Sequence, residues 1–361
     1  MKVNSAPTDD QAVRLLEDLV RIPSPSCQEG AVAQACVDAM AEMGLAARLD
    51  AAGNAVGEAG SGERCILLLG HIDTVPGQLP VYREGDWLHG RGTVDAKGPF
   101  AAMICAAARA GLTSARVIVI GAVEEEAATS RGAYHVAETH PPADAVVIGE
   151  PSRWDRVTLG YKGRLLVEYR LTRPVSHTAG REQSACEVAV NYWEAVRDWA
   201  QRYNAGRESM FDRLDPSLRA MNTSSDGLAD LVDMRIGLRL PLGLDVAELR
   251  HLLDDHWAGE AQVQLRGQEL PYRASNRSVL TSAFLASIRS AGGQPAFVTK
   301  TGTSDMNVIG PRWKCPIVAY GPGDSAYDHT PEERISVSEY LQAVRVLTRV
   351  LRRLEAALAR E

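Results

Sequence analysis

The sequence predicts an α/β fold in which a discontinuous domain, with a mixed and largely parallel sheet between helices, is interrupted by an inserted α+β domain. Apolar runs at 65–69, 116–120 and 144–148 show no polar alternation, which is typical of strands buried on both faces of a parallel sheet. From about residue 165 the pattern alternates as in a sheet with one solvent-facing side. After Pro271 the helical and apolar patterns return, so we expect the first domain to resume there.

Helical patterns surround these strands. Apolar residues recur every three or four positions along them, and prolines or glycines follow several of their ends. Helices are expected at 10–21, 29–43, 99–110, 186–203, 279–290 and from about 336, and further strands at 166–171, 234–240 and 316–320. At 361 residues the chain exceeds what one hydrophobic core usually serves. The expected domains are therefore 1–164 joined to 273–361, with 165–272 inserted between them.

Charge and hydropathy limit the classes of function. The formal net charge is −7, which argues against a nucleic-acid or anionic-membrane partner because both attract basic surfaces. The first ten residues lack the apolar core of a signal peptide, and no apolar run reaches the roughly 20 residues that span a bilayer. We therefore expect a cytoplasmic protein that acts on small molecules or on other proteins.

Polar residues follow the three apolar runs near the points where the runs end. Gly70 precedes His71, Gly149 precedes Glu150, and the carboxylates of 124–126 follow the middle run. Ligands bind at the carboxyl ends of strands in open α/β sheets, and adjacent carboxylates at such an end are most easily stabilised by a cation. Taken alone, each signal also fits a strand-end histidine, a capping carboxylate or a solvated acidic loop.

Two loop segments add further polar groups. Asp95 lies among the glycines of 90–98, and His329 lies between Asp and Thr in a proline-containing segment. With His71, Glu150 and one carboxylate of the run 124–126, they supply two histidines and three carboxylates, a set that suits two ions of zinc, cobalt or manganese. Asp73 lies two positions after His71, near enough to orient its imidazole as a metal-binding histidine requires. Taken alone, Asp95 and His329 also fit turn or capping positions.

The order of these motifs resembles one enzyme family over nearly the whole chain. The motifs are His-x-Asp at 71–73, Gly-x-Gly-x-x-Asp-x-Lys-Gly at 90–98, Glu-Glu at 125–126, Glu-Pro at 150–151 and the terminal His329. The chain is thereby similar to the cocatalytic zinc aminoacylases and carboxypeptidases, which include acetylornithine deacetylase, succinyl-diaminopimelate desuccinylase and bacterial glutamate carboxypeptidase. The resemblance implies a metal-dependent amide hydrolase.

The resemblance also implies a ligand set for two divalent metal ions per subunit, zinc before cobalt. His71 and Glu150 would bind one ion. Glu126 and His329 would bind the other, and Asp95 would bridge the two.

Two further residues take catalytic roles by the same resemblance. Glu125 would be the general base, and Asp73 would fix His71. Chemistry alone does not say which member of the run 124–126 is the base, because the three glutamates are neighbours.

The inserted domain carries other motifs of this family. Residues 176–180 resemble the segment whose histidine reaches the active site of the partner subunit. The resemblance thus implies that His177 is catalytic, that the insertion is a lid and dimerisation domain, and that the enzyme is a homodimer. Arg239 stands where relatives carry an arginine for the substrate carboxylate, although the acid usual two residues earlier is Gly237 here. The alternative for His177 is an ordinary turn residue.

A segment at 300–305 resembles the substrate loop of the family. The resemblance implies that Gly302, Thr303 and Ser304 bind substrate. A helix-capping role for Ser304 or Asp305 is the alternative.

Longer strings at 70–77, 158–164 and 300–307 most resemble one branch of the family. That branch frees lysine, and in some members ornithine, from an acidic amino-carrier protein in lysine and arginine biosynthesis. The bond would be the isopeptide between the γ-carboxyl group of the carrier's C-terminal glutamate and the α-amino group of lysine. An acidic carrier needs basic residues on the enzyme, and the candidates are Lys162, Arg164, Arg273 and Lys300.

Two other functions stay open. A small-molecule deacylase acting on acetylornithine or succinyl-diaminopimelate would share every metal ligand. A non-catalytic binding module of the same fold would be expected to lack a ligand or the base, and none is missing from this sequence.

Overall fold

The structure is a computed structural model and describes residues 6–177 and 179–360. The chain divides into two compact units. The first combines the described residues up to Gly160 with Arg273–Thr299 and with those from Ser304 onward, and the second combines Tyr161–Tyr272 with Lys300–Thr303. The lid and dimerisation roles stay predictions.

The elements follow the sequence patterns closely. The helices are α1 Asp9–Arg21, α2 Gly30–Glu42, α3 Lys97–Ala110, α4 Arg131–Thr139, α5 Ala185–Tyr203, α6 Val246–His251, α7 Val279–Ser290, α8 Met306–Trp313 and α9 Val337–Leu358. The strands are β1 Ala46–Leu49, β2 Ala55–Gly60, β3 Arg64–His71, β4 Tyr82–Glu84, β5 Trp87–His89, β6 Ala115–Ala122, β7 Ala145–Gly149, β8 Arg156–Tyr161, β9 Gly163–Pro174, β10 Asp215–Ser225, β11 Ala229–Leu240, β12 Gln262–Glu269, β13 Tyr272–Arg273, β14 Ala296–Lys300, β15 Ile317–Ala319 and β16 Arg334–Ser336. Every helix and strand that the sequence predicts is present.

The main sheet of the first unit is mixed, with a parallel centre. Its strand order is β1-β2-β6-β3-β7-β15-β8-β13, and β14 also pairs with β8. Strands β6, β3, β7 and β15 run parallel, whereas β1, β2 and β8 pair antiparallel with their neighbours. Consecutive residues of the central strands are buried, because helices such as α3, α9, α4 and α8 pack on the sheet. The predicted α/β class is confirmed.

The register of the central strands aligns their carboxyl ends. Gly70 pairs with Gly121 on one side and with Gly149 on the other. Glycine is required at this edge, because a Cβ on Gly149 would lie 3.0 Å from the Gly70 Cα and one on Gly121 would lie 2.7 Å from the Phe100 ring. The polar residues that follow these glycines are thus brought side by side.

The second unit contains an antiparallel sheet with the order β10-β11-β9-β12. Residues of β9 alternate, with Leu165, Val167 and Tyr169 buried and the intervening side chains partly or fully exposed. Helix α5 packs against the sheet and covers the apolar side chains. The one-sided sheet expected for the inserted α+β region is confirmed.

The described part of the chain contains no helix that is long and apolar enough to cross a membrane.

Candidate metal centre

The carboxyl ends of β3, β6 and β7 bring three polar segments of the first unit together. His71 is the last residue of β3, Glu125 and Glu126 follow β6, and Glu150 follows β7. His71 is 1% exposed and Glu150 is 8% exposed. The His71 Nε2 atom lies 4.0 Å from a carboxylate oxygen of Glu150. The strand-end residues therefore form one cluster.

Asp95 lies between the two histidines and uses one carboxylate oxygen for each. Its Oδ1 is 3.1 Å from His71 Nε2, and its Oδ2 is 2.9 Å from His329 Nε2. The same nitrogen of His329 is 2.7 Å from Glu126 Oε1. The peptide bond between Asp95 and Ala96 is cis.

These contacts define two groups that share Asp95. One contains His71, Asp95 and Glu150, and the other contains Asp95, Glu126 and His329. Within each group, one nitrogen or oxygen atom per residue lies within 4.8 Å of those of the other members. Imidazole nitrogen and carboxylate oxygen are the donors that zinc and cobalt accept in proteins. The two groups thus fit two metal ions.

Burial and mutual repulsion set the charges in this cluster. Burial raises the pKa of Glu150 well above its ordinary value, and Asp95 adds to the shift. Burial likewise raises the pKa of Glu125 well above its ordinary value, an effect that His71 opposes and that Glu150 and Glu126 increase. For Asp95, burial opposes ionisation, but hydrogen bonds to His329 and His71 lower its pKa overall. A cation would relieve this crowding of carboxylates.

The three adjacent glutamates have different surroundings. Glu124 forms an ion pair with Arg131 at 2.7 Å and accepts a hydrogen bond from the Thr129 hydroxyl at 2.7 Å. Glu126 contacts His329, whereas Glu125 groups with His71 and Glu126. The side-chain contacts of Glu124 therefore differ from those of Glu125 and Glu126, and the sequence alone did not predict this difference.

Asp73 is completely buried and contacts both strand ends. Its Oδ1 lies 3.4 Å from His71 Nδ1, although its backbone oxygen is nearer to that nitrogen, at 3.0 Å. Its carboxylate also accepts the backbone N–H groups of Glu125 at 3.1 Å and of Glu126 at 3.0 Å, and the Ser26 hydroxyl at 2.7 Å. Asp73 thus contacts the glutamate segment as well as His71, and its role in orienting His71 stays a prediction. Sequence reasoning missed Ser26.

Glu333 is a second residue that sequence reasoning missed. Its side chain is buried, and its Oε1 accepts the backbone N–H groups of Val94 at 3.0 Å and Asp95 at 3.2 Å. Its Oε2 pairs with Arg91 at 2.7 Å. Glu333 therefore holds the segment that presents Asp95. The only sequence signal was its position four residues after His329.

The predicted residues of the second unit lie in a different environment. His177 is exposed, and its Nδ1 accepts the backbone N–H of Ala179 at 3.1 Å, as a turn histidine does. Arg239 donates a hydrogen bond to the Thr303 hydroxyl at 3.2 Å. These contacts do not test the predicted catalytic and substrate-binding roles.

Gly302 and Ser304, which are also predicted to bind substrate, lie in the segment between β14 and α8. Gly302 is half-buried in a bend between β14 and α8. The Ser304 hydroxyl oxygen accepts the backbone N–H of Met306 at 3.2 Å, at the start of α8. The N-cap of α8 is Asp305, which makes no side-chain capping hydrogen bond, and Ser304 lies one residue before it. The substrate-binding role of Ser304 stays a prediction.

Lys162 and Arg164, two of the four basic residues predicted to contact an acidic carrier, form ion pairs within the second unit. Lys162 Nζ lies 2.5 Å from Asp215, and Arg164 pairs with Glu269 at 2.7 Å. Arg273 is exposed, and Lys300 is half-buried.

Comparison with known proteins identifies the family. The model of Peptidase family M20/M25/M40 matches residues 67–353. The chain is 46% identical over 358 residues to the LysW-lysine hydrolase of Deinococcus radiodurans, and the alignment covers 96% of this chain and 99% of that protein.

Solved structures share the fold. An M20 family metallo-carboxypeptidase of Sulfolobus solfataricus, Sso-CP2, matches with a TM-score of 0.78 at 18% identity, covering 96% of this chain and 100% of that one. A dinuclear metal-binding M20 peptidase of Bacillus subtilis matches with a TM-score of 0.64 at 15% identity, covering 95% of this chain and 97% of that one. The chain belongs to peptidase family M20/M25/M40 and is a metal-dependent hydrolase of that family.

Proposed function

We propose that this enzyme hydrolyses the isopeptide bond between an acidic amino-carrier protein and lysine. The bond joins the γ-carboxyl group of the carrier's C-terminal glutamate to the α-amino group of lysine, and its hydrolysis releases free lysine in biosynthesis. The observation that carries the proposal is the 46% identity to a LysW-lysine hydrolase over almost the full length of both chains. Ornithine is the second amino acid to be tested, and the cytoplasm is the proposed location.

The proposed ligands of the two metal ions follow the two groups of the cluster. His71 and Glu150 would hold one ion, Glu126 and His329 would hold the other, and Asp95 would be shared by the two. The contacts of Asp95 with both histidines support this assignment. Bound zinc or cobalt would lower the pKa of a water molecule and polarise the amide carbonyl.

Glu125 is the proposed general base. It lies beside the ligand Glu126 in the group that also contains His71, while Glu124 is engaged with Arg131. From this position its carboxylate accepts a proton from the attacking water and returns it to the leaving amine. Asp73 supports the step by holding the backbone of Glu125 and orienting His71.

The proposed substrate contacts belong to the second unit, except Ser304, which belongs to the first. His177 would act in the active site of the partner subunit of a homodimer, where it would polarise the scissile carbonyl. Arg239 would bind a substrate carboxylate, and the segment with Gly302, Thr303 and Ser304 would contact the released end. The exposure of His177 supports a role outside its own unit's core.

The testing experiment measures amine release by the metal-loaded enzyme from carrier-linked lysine, carrier-linked ornithine and acetylornithine. A chelated sample is the control. Chelator-sensitive release from the carrier-linked substrates supports the proposed role. Release from acetylornithine alone would contradict it and assign the enzyme to small-molecule deacylation.

A further inference from the structure

Four consecutive backbone N–H groups follow β6, and buried side chains from other parts of the first unit accept all of them. The groups belong to residues 123–126, a segment that contains the proposed general base and one proposed metal ligand. Buried backbone N–H groups in proteins mostly bond to other backbone groups. Here the acceptors are side-chain oxygens of Asn54, Glu29 and Asp73.

Asn54 accepts the first of the four groups. It is completely buried, and its side-chain oxygen accepts the backbone N–H of Val123 at 3.0 Å. Its side-chain nitrogen donates to a carboxylate oxygen of Asp50 at 2.8 Å and to the Gly132 carbonyl at 3.2 Å. Because both polar ends of the amide are bonded, the oxygen that faces Val123 is held in place.

Glu29 accepts the second group. It is 5% exposed, and its Oε1 accepts the backbone N–H of Glu124 at 3.1 Å and that of Cys27 at 2.8 Å. Glu29 is the residue before α2, but its side chain makes no capping hydrogen bond to that helix among the described residues. The helix therefore does not depend on the Glu29 carboxylate, which instead bonds to the segment after β6.

The backbone of Glu124 has a conformation that requires support from its surroundings. Its φ is +60°, in the left-handed region that residues other than glycine rarely adopt. Such a conformation persists only where neighbouring groups hold it. Asp73 accepts the N–H groups of the next two residues, and Glu29 accepts that of Glu124 itself. Glu29 thus stabilises the turn from which the next side chain, Glu125, projects.

We propose that Glu29 is a positioning residue for the general base Glu125. Through Oε1 it holds the left-handed turn at Glu124, and this turn sets where the Glu125 carboxylate lies relative to His71. The inference rests on the proposed function in one respect, namely that Glu125 is the base. It concerns residues of the first unit alone.

The opposite end of β6 offers a matched control. Oε1 of Glu355 accepts the backbone N–H groups of Thr113 and Ser114 at 2.7 Å and of Ala115 at 3.2 Å, where the strand begins. Since a strand rises about 3.3 Å per residue, this end lies roughly 20–25 Å from the glutamates. Glu355 therefore holds the backbone of the same strand without reaching the proposed base.

The test compares zinc-loaded wild-type enzyme with E29A, E29Q and E355A. The substrate is whichever of carrier-linked lysine, carrier-linked ornithine and acetylornithine the wild type hydrolyses fastest. On the same samples, kcat, KM, bound zinc and Tm are measured, together with hydrogen exchange of the amides of residues 123–126.

E29A should lower kcat about 10–100-fold, because removal of a group that orients an active-site residue commonly costs this much. KM and bound zinc should stay unchanged, and the amides of residues 123–126 should exchange faster. E29Q should restore most of kcat and of the protection from exchange, since its amide oxygen can accept the same N–H groups. E355A should leave kcat and this exchange unchanged, whatever its effect on Tm.

A second variant, E29D, covers the case in which E29A does not fold. It keeps the carboxylate but shortens its reach by one methylene group, so its kcat should fall below that of E29Q. Wild-type kcat in E29A, or in E29D where E29A does not fold, would overturn the proposal, as would equal losses in these variants and E355A.

Hydrogen exchange separates this proposal from the proposed function, because it needs no substrate. Unchanged exchange of residues 123–126 in E29A or E29D would overturn the positioning role of Glu29. Absence of turnover on carrier-linked lysine would overturn only the proposed function.

Discussion

The cluster of predicted metal ligands in the first unit differs from a small cavity of about 160 Å³ in the second unit, which is lined by Arg164, Arg219 and Arg239. The difference is in how many of their polar groups form hydrogen bonds within the protein. In the cluster, Asp73 and Glu333 hold the backbone around the predicted ligands through hydrogen bonds of 3.0–3.2 Å. In the cavity, Arg219 has no partner among the described residues, and Arg164 Nε has none either. The backbone around the predicted metal ligands is thus held by buried carboxylates, as ligand-orienting groups require, whereas the two arginine groups are not held in this way.

The largest expected effects on activity come from substitutions of Glu125, the proposed general base, and Asp95, the proposed shared metal ligand. Glu125→Ala should retain both metal ions but lower kcat by about 10²–10⁴-fold, because the general base is removed. Asp95→Ala should lose metal as well as activity, since the residue between the two histidines is gone. Metal content by elemental analysis and amine release on the same samples check both results.

Glu124→Gln is the matched control for that pair, because Glu124 contacts Thr129 and Arg131 instead of the histidines. It should keep most of the activity. A fully active Glu125→Ala enzyme would refute the assignment of the base.

The next largest effect concerns the exposed histidine of the second unit. His177→Ala should lower kcat by about 10²–10³-fold with little loss of metal, because a group that polarises the scissile carbonyl is removed. Mixing it with Glu125→Ala should restore about a quarter of the wild-type rate, since half of randomly paired dimers would contain one complete site. Steady-state rates of refolded or co-expressed mixtures provide the measurement.

Separately tagged subunits should be used to confirm that mixed dimers form. Their failure to recover activity would rule out action across the subunit interface.

An intermediate effect on metal affinity and activity is expected from Glu333, the buried residue that accepts the backbone N–H of Asp95. Glu333→Gln should weaken metal affinity and activity about 10–100-fold, because groups that orient ligands commonly contribute this much. The neighbouring Glu332 is exposed, so Glu332→Gln is the matched control and should behave as wild type. Metal titration of the two variants provides the comparison, and equal affinities would contradict the positioning role of Glu333.

The smallest effect should appear in the metal-free protein. Glu150→Gln replaces a buried carboxylate whose pKa is raised well above its ordinary value by burial and by Asp95. In chelator, the variant should melt about 2–4 °C above chelated wild type, which corresponds to about 1 kcal/mol for a domain of this size. With metal bound, the Tm of the variant should instead lie below that of the wild type, because glutamine is a weaker metal ligand than glutamate. Calorimetry in both conditions would show the crossover, and a lower Tm in chelator would argue against carboxylate repulsion.

The main sheet and the strand-end residues could be predicted because local patterns specify them. Uninterrupted apolar runs end at His71 and just before Glu150, and the parallel register then brings those ends together. The different surroundings of Glu124, Glu125 and Glu126 could not be predicted, since they depend on contacts with residues such as Asp73 and His329.

Residues whose partners are distant in the chain were missed for a similar reason. Glu333 contacts Val94 and Asp95 across about 240 positions of sequence. Arg219 lies in β10, an edge strand with mostly exposed residues and an irregular register, so no buried pattern indicated the strand. Its placement over Gly237 follows from strand pairing and cannot be seen in either segment alone.

The most direct test of the central claim is a calorimetric titration of metal-free enzyme with zinc, followed by activity at each point. Two ions per chain should bind, and full activity on carrier-linked lysine should require both, because the two groups share Asp95. Saturation and full activity at one ion per chain would contradict the dinuclear site.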